Sequence, residues 1–346
     1  MWWKGYGPVL QIAALAAAGA LPQEAQPRRI SPPPGSLALA ASFREQPSRL
    51  QQAGSNSAQT GQAPGPALAG VVEVYVSVLD KEGRPVLDLT KDDFRVLEGK
   101  QEQEIIRVSR GPREPLSVAL LIDTSGSRSD RIPDKEPSLA LQLLQTVLSD
   151  GGEALVGSFG RSMEMRSDFT KDIAALEGAL RQVYARPPYG PGALYGSICW
   201  ICDTKLSARP GPRALVVLSD CDPSSNEDRR QVLEATARTR TTVSFVCSIP
   251  PSRPGEPFRR WAPEGIARKA THQIAETTGG VATVTTDARK EAMAFGLIAD
   301  LLRGRYTLVY RPETPTREGG PREVKIETTR KGLRVFASRG FYVPTN

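Results

Sequence analysis

Five short apolar runs limit what this chain can fold into. Val118-Ala119-Leu120-Leu121-Ile122 is unbroken and ends in Asp123. Ala154 to Phe159, Ala214 to Leu218 (followed by Ser219-Asp220) and Val243 to Cys247 repeat the pattern, and Val281 to Val284 is a weaker fifth. A strand that is apolar at every position has both faces covered, as in the middle of a parallel sheet. Helical patterns lie between the runs. Leu139, Leu143, Leu144 and Val147 share one face, as do Ile173, Leu176, Leu180 and Val183. Further helices are read at Ala193 to Leu206, at Arg229 to Thr239, around Ile266 to Ala275, and from Met293 to Leu302. Met163 to Arg166 reads as an antiparallel edge strand. This alternation predicts an α/β, doubly wound, mainly parallel sheet flanked by helices. In such sheets ligands sit beyond the carboxyl ends of the strands, where Asp123 and Asp220 fall.

The flanks have a different period. Val72, Val74, Val76 and Val78 alternate with polar residues, and Phe94 to Leu97 and Glu104 to Val108 form two more short runs. After Gly304, Tyr306 to Tyr310, Glu323 to Glu327 and Leu333 to Phe336 alternate again. Three short strands alone are marginal. The expectation is one small β-sandwich built from segments 70–112 and 305–344, with an α/β domain at 114–304 inserted. The alternative is two separate β appendages.

Residues 1–20 read as an export signal: Lys4, an apolar run from Val9 to Leu21, and Ala18-Gly19-Ala20 as a small-residue cleavage site. The run is too short to span a bilayer, so no membrane span is expected after cleavage. Residues 21–68, rich in Pro, Ser, Gln, Ala and Gly, read as a disordered linker. The expected location is periplasmic, cell-surface or extracellular. The net charge of +7 is spread along the chain and points to no nucleic-acid partner.

Asp123-Thr124-Ser125-Gly126-Ser127 places three oxygen-bearing side chains at every second residue of a loop. Such a loop converges on a hard cation such as Mg²⁺, with Asp220 as a second carboxylate. The competing reading is a helix N-cap.

These residues resemble the metal-ion-dependent adhesion motif, D-x-S-x-S, of von Willebrand factor type A (VWFA) domains. Asp168 to Asp172, Ala193-Leu194-Tyr195, Leu218-Ser219-Asp220 and Ala275 to Gly280 resemble that family's other segments. Asp80 to Pro85, Leu89 to Phe94 and Ser338 to Pro344 resemble secreted bacterial VWFA-related proteins common in acidobacteria. The resemblance implies Mg²⁺ (or Mn²⁺ or Ca²⁺) held by Asp123, Ser125, Ser127 and Asp220, with an open position for a carboxylate of a protein ligand. It implies an adhesion-like, non-enzymatic binding protein. Three positions depart from the pattern: Gly192 stands where Thr is expected, Gly196 where Asp is, and Cys221 where Gly follows the aspartate. An extra water, Ser197 or Asp222 would then complete the shell.

Two further readings compete: a metal-independent structural or assembly protein of the envelope, and a thiol-redox protein using Cys199 and Cys202. The C-x-x-C begins inside a helix rather than at its start, a weak redox signal. Disulfide connectivity among Cys199, Cys202, Cys221 and Cys247 is open at this point. His272 is the only histidine, and no nucleophile-elbow or phosphate-loop motif occurs. The Pro- and Arg-rich stretch 250–263, holding Phe258 and Trp261, is a candidate interface loop.

Overall fold

The structure is a computed structural model. It describes residues 71–342 except 112–113, 129–131, 161, 191, 222–228, 250–263 and 314–320; of 264–268, 321, 341 and 342 it describes the backbone alone. The expected export signal, linker and 250–263 loop lie outside the described residues.

The apolar runs form a six-stranded sheet: β4 (Ser117–Asp123), β5 (Glu153–Phe159), β6 (Met163–Met165), β7 (Arg213–Ser219), β8 (Thr241–Ser248) and β9 (Ala282–Thr285). The order is β6-β5-β4-β7-β8-β9, parallel throughout except for β6, which pairs antiparallel with β5. Every residue of β4 is buried. Successive side chains of a strand face opposite ways, and here both sides are covered. Val118, Leu120 and Ile122 pack with α1 (Glu136–Ser149), α2 (Ile173–Tyr184) and α6 (Ala288–Arg303), through Leu144, Leu176 and Ile298 among others. Ala119 and Leu121 pack with α3 (Leu194–Ile201), α4 (Arg229–Thr239) and α5 (Glu264–Thr278), through Ile198, Val232 and Ile274. That double cover is why the run has no alternation. Leu120 sits fully buried in the first cluster. Leu120→Ala should therefore lower the unfolding free energy by about 2–5 kcal/mol, read as a lower urea midpoint; a loss under 1 kcal/mol would contradict this packing.

Both flanks join in one antiparallel sheet. Its strands are β1 (Val72–Leu79), β2 (Phe94–Glu98), β3 (Gln101–Arg110), β10 (Arg305–Arg311), β11 (Pro321–Thr328), β12 (Arg334–Ala337) and β13 (Gly340–Tyr342), in the order β12-β1-β10-β3-β2-β11-β13. β10, which follows the α/β segment, lies between β1 and β3, which precede it. Separate appendages are thereby ruled out. The sheet curls until β12 meets β11, a near-barrel around Val76, Phe94, Val96, Tyr306, Leu308 and Ile326. Tyr306 packs edge-on against Phe94, donates to the Val86 carbonyl (2.8 Å) and accepts from Leu89 N–H (3.0 Å), which ties the 86–89 segment over the core. The short β13 has no counterpart in the sequence reading.

The two layers meet through specific backbone contacts. Ser77 Oγ donates to the Leu301 carbonyl (2.7 Å), and Arg339 N–H donates to the Thr277 carbonyl (2.9 Å). Gly279 has φ +80°, and a Cβ there would lie 2.6 Å from the Ala337 carbonyl carbon. The glycine both ends α5 and lets β12 approach.

Candidate metal centre

The chain runs outward from β4 to β5 and β6, then returns to β7 on the other side of β4. The strand order reverses at β4, and such a switch point opens a crevice at the strands' carboxyl ends. Asp123 is the last residue of β4 and Ser219 the last of β7; Ile122 pairs with Leu218, so the two ends lie side by side.

There the candidate residues converge. Asp123 Oδ1 accepts the Ser125 N–H (2.8 Å), and its Oδ2 accepts the Ser219 hydroxyl (2.6 Å). Ser125 Oγ and Ser127 Oγ are 2.9 Å apart. Asp123, Ser125 and Asp220 are buried, and Ser127 is half-buried. A one-turn 3-10 segment, Gly126–Arg128, follows Ser125 and contains Ser127. The long helix α1 starts only at Glu136, so the pentapeptide does not cap it.

The second loop is laced to the first. Tyr189 N–H donates to the Thr124 carbonyl (2.8 Å), and Gly126 N–H donates to the Gly190 carbonyl (2.7 Å). Gly192 faces the cradle: a Cβ on it would lie 3.4 Å from Ser125 Oγ and 4.0 Å from Asp123 Oδ1. A threonine there would aim its hydroxyl at the same point, with Ser125 yielding a few tenths of an ångström. Ser197 is buried on α3, and Asp222 lies outside the described residues.

Two charged residues essential to this geometry were not singled out from sequence. Arg128 is fully buried. Its guanidinium donates to the carbonyls of Asp123 (3.0 Å) and Leu218 (3.4 Å), bridging the ends of β4 and β7. It also pairs with Glu136 at 2.5 Å, and Tyr184 donates to the other Glu136 oxygen at 3.0 Å. Only their proximity to the motif marks them in sequence, because charged residues near a helix start ordinarily face water.

Burial pushes the Asp123 carboxyl above the ordinary carboxylate range, and the neighbouring Asp220 carboxylate adds to this; Arg128 opposes it. The sign for stability follows. A carboxyl whose folded value is raised favours folding below its unfolded value, and that contribution is lost as pH rises through the folded value. A bound divalent cation would relieve the repulsion, and protons compete with it. The rise in melting temperature on adding Mn²⁺ should thus be larger at pH 7.5 than at pH 5; equal rises would contradict this.

Among the described residues no group of three or more His, Cys, Asp or Glu side chains converges. The donors here are two carboxylates and two hydroxyls, all hard oxygens, as Mg²⁺ and Mn²⁺ prefer. With water completing the shell, the residues fit such an ion despite Gly192.

The other motif residues have structural work. Asp172 caps α2 by accepting the Ala174 N–H (2.9 Å), Thr170 pairs with Ala154 at the opposite end of β5, and Asp168 binds Lys205 (3.0 Å). Cys221 and Cys247 form a disulfide, while Cys199 and Cys202 keep their thiols unbridged. Burial pushes the Cys202 thiol up to about 12, the wrong direction for a redox nucleophile. His272 lines a cleft of about 700 Å³ between α5 and β9 on one side and β11 and β12 on the other; none of the cradle residues lines it.

No family model and no curated protein matches the sequence. Among solved structures, the chain is similar to an aerotolerance-related membrane protein from Bacteroides fragilis (17% identity, 54% of this chain and 98% of that one, TM-score 0.40). It is similar to a von Willebrand factor type A protein from Catenulispora acidiphila (12% identity, 75% of each chain, TM-score 0.42). It is also similar to the manganese-loaded TRAP protein from Plasmodium vivax (13% identity, 67% of this chain and 96% of that one, TM-score 0.40). By its own strand order, and by the loops gathered at the end of β4, the α/β layer of this chain is the doubly wound, mainly parallel sheet that the resemblance to von Willebrand factor type A domains implies.

Proposed function

We propose that this chain is a non-enzymatic protein-binding module that captures a carboxylate of a protein partner through a divalent cation, Mg²⁺ or Mn²⁺. Asp123, Ser125, Ser127 and Asp220 would hold the ion. The observation that carries the reading is the pair of hydroxyls 2.9 Å apart beside two buried carboxylates at the switch point. When bound, the ion supplies an electrophilic coordination site. The chain's residues fix its position: Asp123 orients the Ser125 backbone and the Ser219 hydroxyl, and Arg128 clamps the strand ends from below.

The proposal keeps the organisation read from sequence: an export signal at 1–20, a linker at 21–68, and a binding domain at 114–304 between flanks 70–112 and 305–344. The Cys221–Cys247 disulfide suits an oxidising compartment outside the cytoplasm. No helix of the described residues is long and apolar enough to cross a membrane.

A second reading, a structural envelope protein that works without metal, draws on Gly192 and on the loop's self-contained hydrogen bonding. Calorimetry with Mg²⁺ and Mn²⁺ on residues 21–346 decides between them. The metal reading expects one site per chain, lost in Asp123→Ala and tightened several-fold in Gly192→Thr. Binding that appears only in Gly192→Thr would favour the structural reading.

A further inference from the structure

Cys221 follows Asp220 directly and has φ +53°. Residues with a side chain seldom adopt this left-handed conformation, which glycine adopts freely. Two contacts hold it there. The Cys221 N–H donates to Ser219 Oγ (2.8 Å), and its sulfur is bonded to Cys247, which pairs with Ser219 across β7 and β8. The same Ser219 hydroxyl donates to Asp123 Oδ2. Disulfide, turn and cradle are thus one continuous chain of contacts, and both cysteines are buried.

Resting on the reading of the cradle as a cation site, we infer that Cys221 is a positioning residue for that site, and that its bridge to Cys247 keeps Asp220 and Ser219 in their binding places. When the bridge opens, Cys221 relaxes out of the left-handed region. Its N–H leaves Ser219, and the carboxylate of Asp220, one residue upstream, turns away from Asp123. The left-handed strain of one side-chain-bearing residue corresponds to roughly a tenfold loss of the binding conformation. Opening takes two electrons and two protons from a dithiol reductant. The S–S bond becomes two thiols, and the dithiol closes to its own disulfide. Cation binding and bridge formation therefore support each other by the same factor.

The test uses Mn²⁺ calorimetry on the oxidised chain, on Cys247→Ser, and on the double variant Cys221→Gly/Cys247→Ser. Cys247→Ser keeps the strained residue without its bridge and should bind Mn²⁺ roughly tenfold more weakly. The double variant also lacks the bridge, but glycine adopts the turn freely, so binding should return to within about twofold of the parent. A double variant as weak as Cys247→Ser, or a Cys247→Ser as tight as the parent, overturns the inference. In a dithiol/disulfide buffer, saturating Mg²⁺ should make the parent's bridge harder to reduce by about 30 mV, the tenfold factor for two electrons; an unmoved midpoint overturns it. This midpoint also decides if neither variant folds. If the oxidised parent binds no Mn²⁺, the cation reading fails by itself. Amide exchange in metal-free protein then still decides the positioning role. Exchange at Asp220 faster in Cys247→Ser and slowed again in the double variant supports it; equal exchange in all three overturns it.

Discussion

Arg128→Met should destabilise the fold by about 3–5 kcal/mol, the largest single-residue effect expected in this chain. The side chain is fully buried, so its loss leaves the Glu136 carboxylate in the core without its guanidinium partner, with Tyr184 still donating to it. It also removes the donor that joins the carbonyls of Asp123 and Leu218. Chemical denaturation measures the loss. Adding Glu136→Gln removes the stranded charge, so the double variant should recover part of the stability, whereas independent sites would add. A single-variant loss below 1 kcal/mol would mean that Arg128 does not clamp the strand ends.

Asp220→Asn should separate binding from stability. The substitution removes one of two carboxylates that repel each other in a buried site. Metal-free protein should melt no lower than the parent, because the repulsion is gone. Mn²⁺ affinity should fall by about a hundredfold or more, on the order of 3 kcal/mol. Groups kept for function against stability behave this way. Asp123→Ala should differ, since Asp123 also accepts from Ser125 N–H and Ser219 Oγ, and its loss should lower both binding and melting temperature. An Asp220→Asn variant that melts well below the parent would mark Asp220 as a structural residue instead.

Much of this was readable from the chain, for physical reasons. Each residue of β4 is covered on one face or the other, so Val118 to Ile122 carries no alternation and announces a central parallel strand. In the flanking sheet alternation returns, as in β2, where Phe94 and Val96 are buried and Arg95 between them is exposed. The sequence also pointed to Gly192, and the glycine does lie against Ser125 and Asp123. What could not be read is what depends on tertiary burial. Arg128 and Glu136 are eight residues apart in a stretch with Pro, Asp and Lys, a pattern that reads as solvated surface. The partner of Cys221 lies 26 residues away on the next strand, and nothing in the spacing selects it over Cys199 or Cys202. The strand β13 is three residues long, held to β11 by pairing rather than by any apolar period of its own.

The cradle itself can be tested by diffraction. Crystals of the oxidised chain soaked in Mn²⁺ should give one strong anomalous peak within bonding distance of both Ser125 Oγ and Ser127 Oγ and beside the Asp123 and Asp220 carboxylates. The peak should be absent from Asp220→Asn crystals. No peak at the end of β4, or a peak that survives unchanged in Asp220→Asn, would contradict the assignment of these residues as a metal centre.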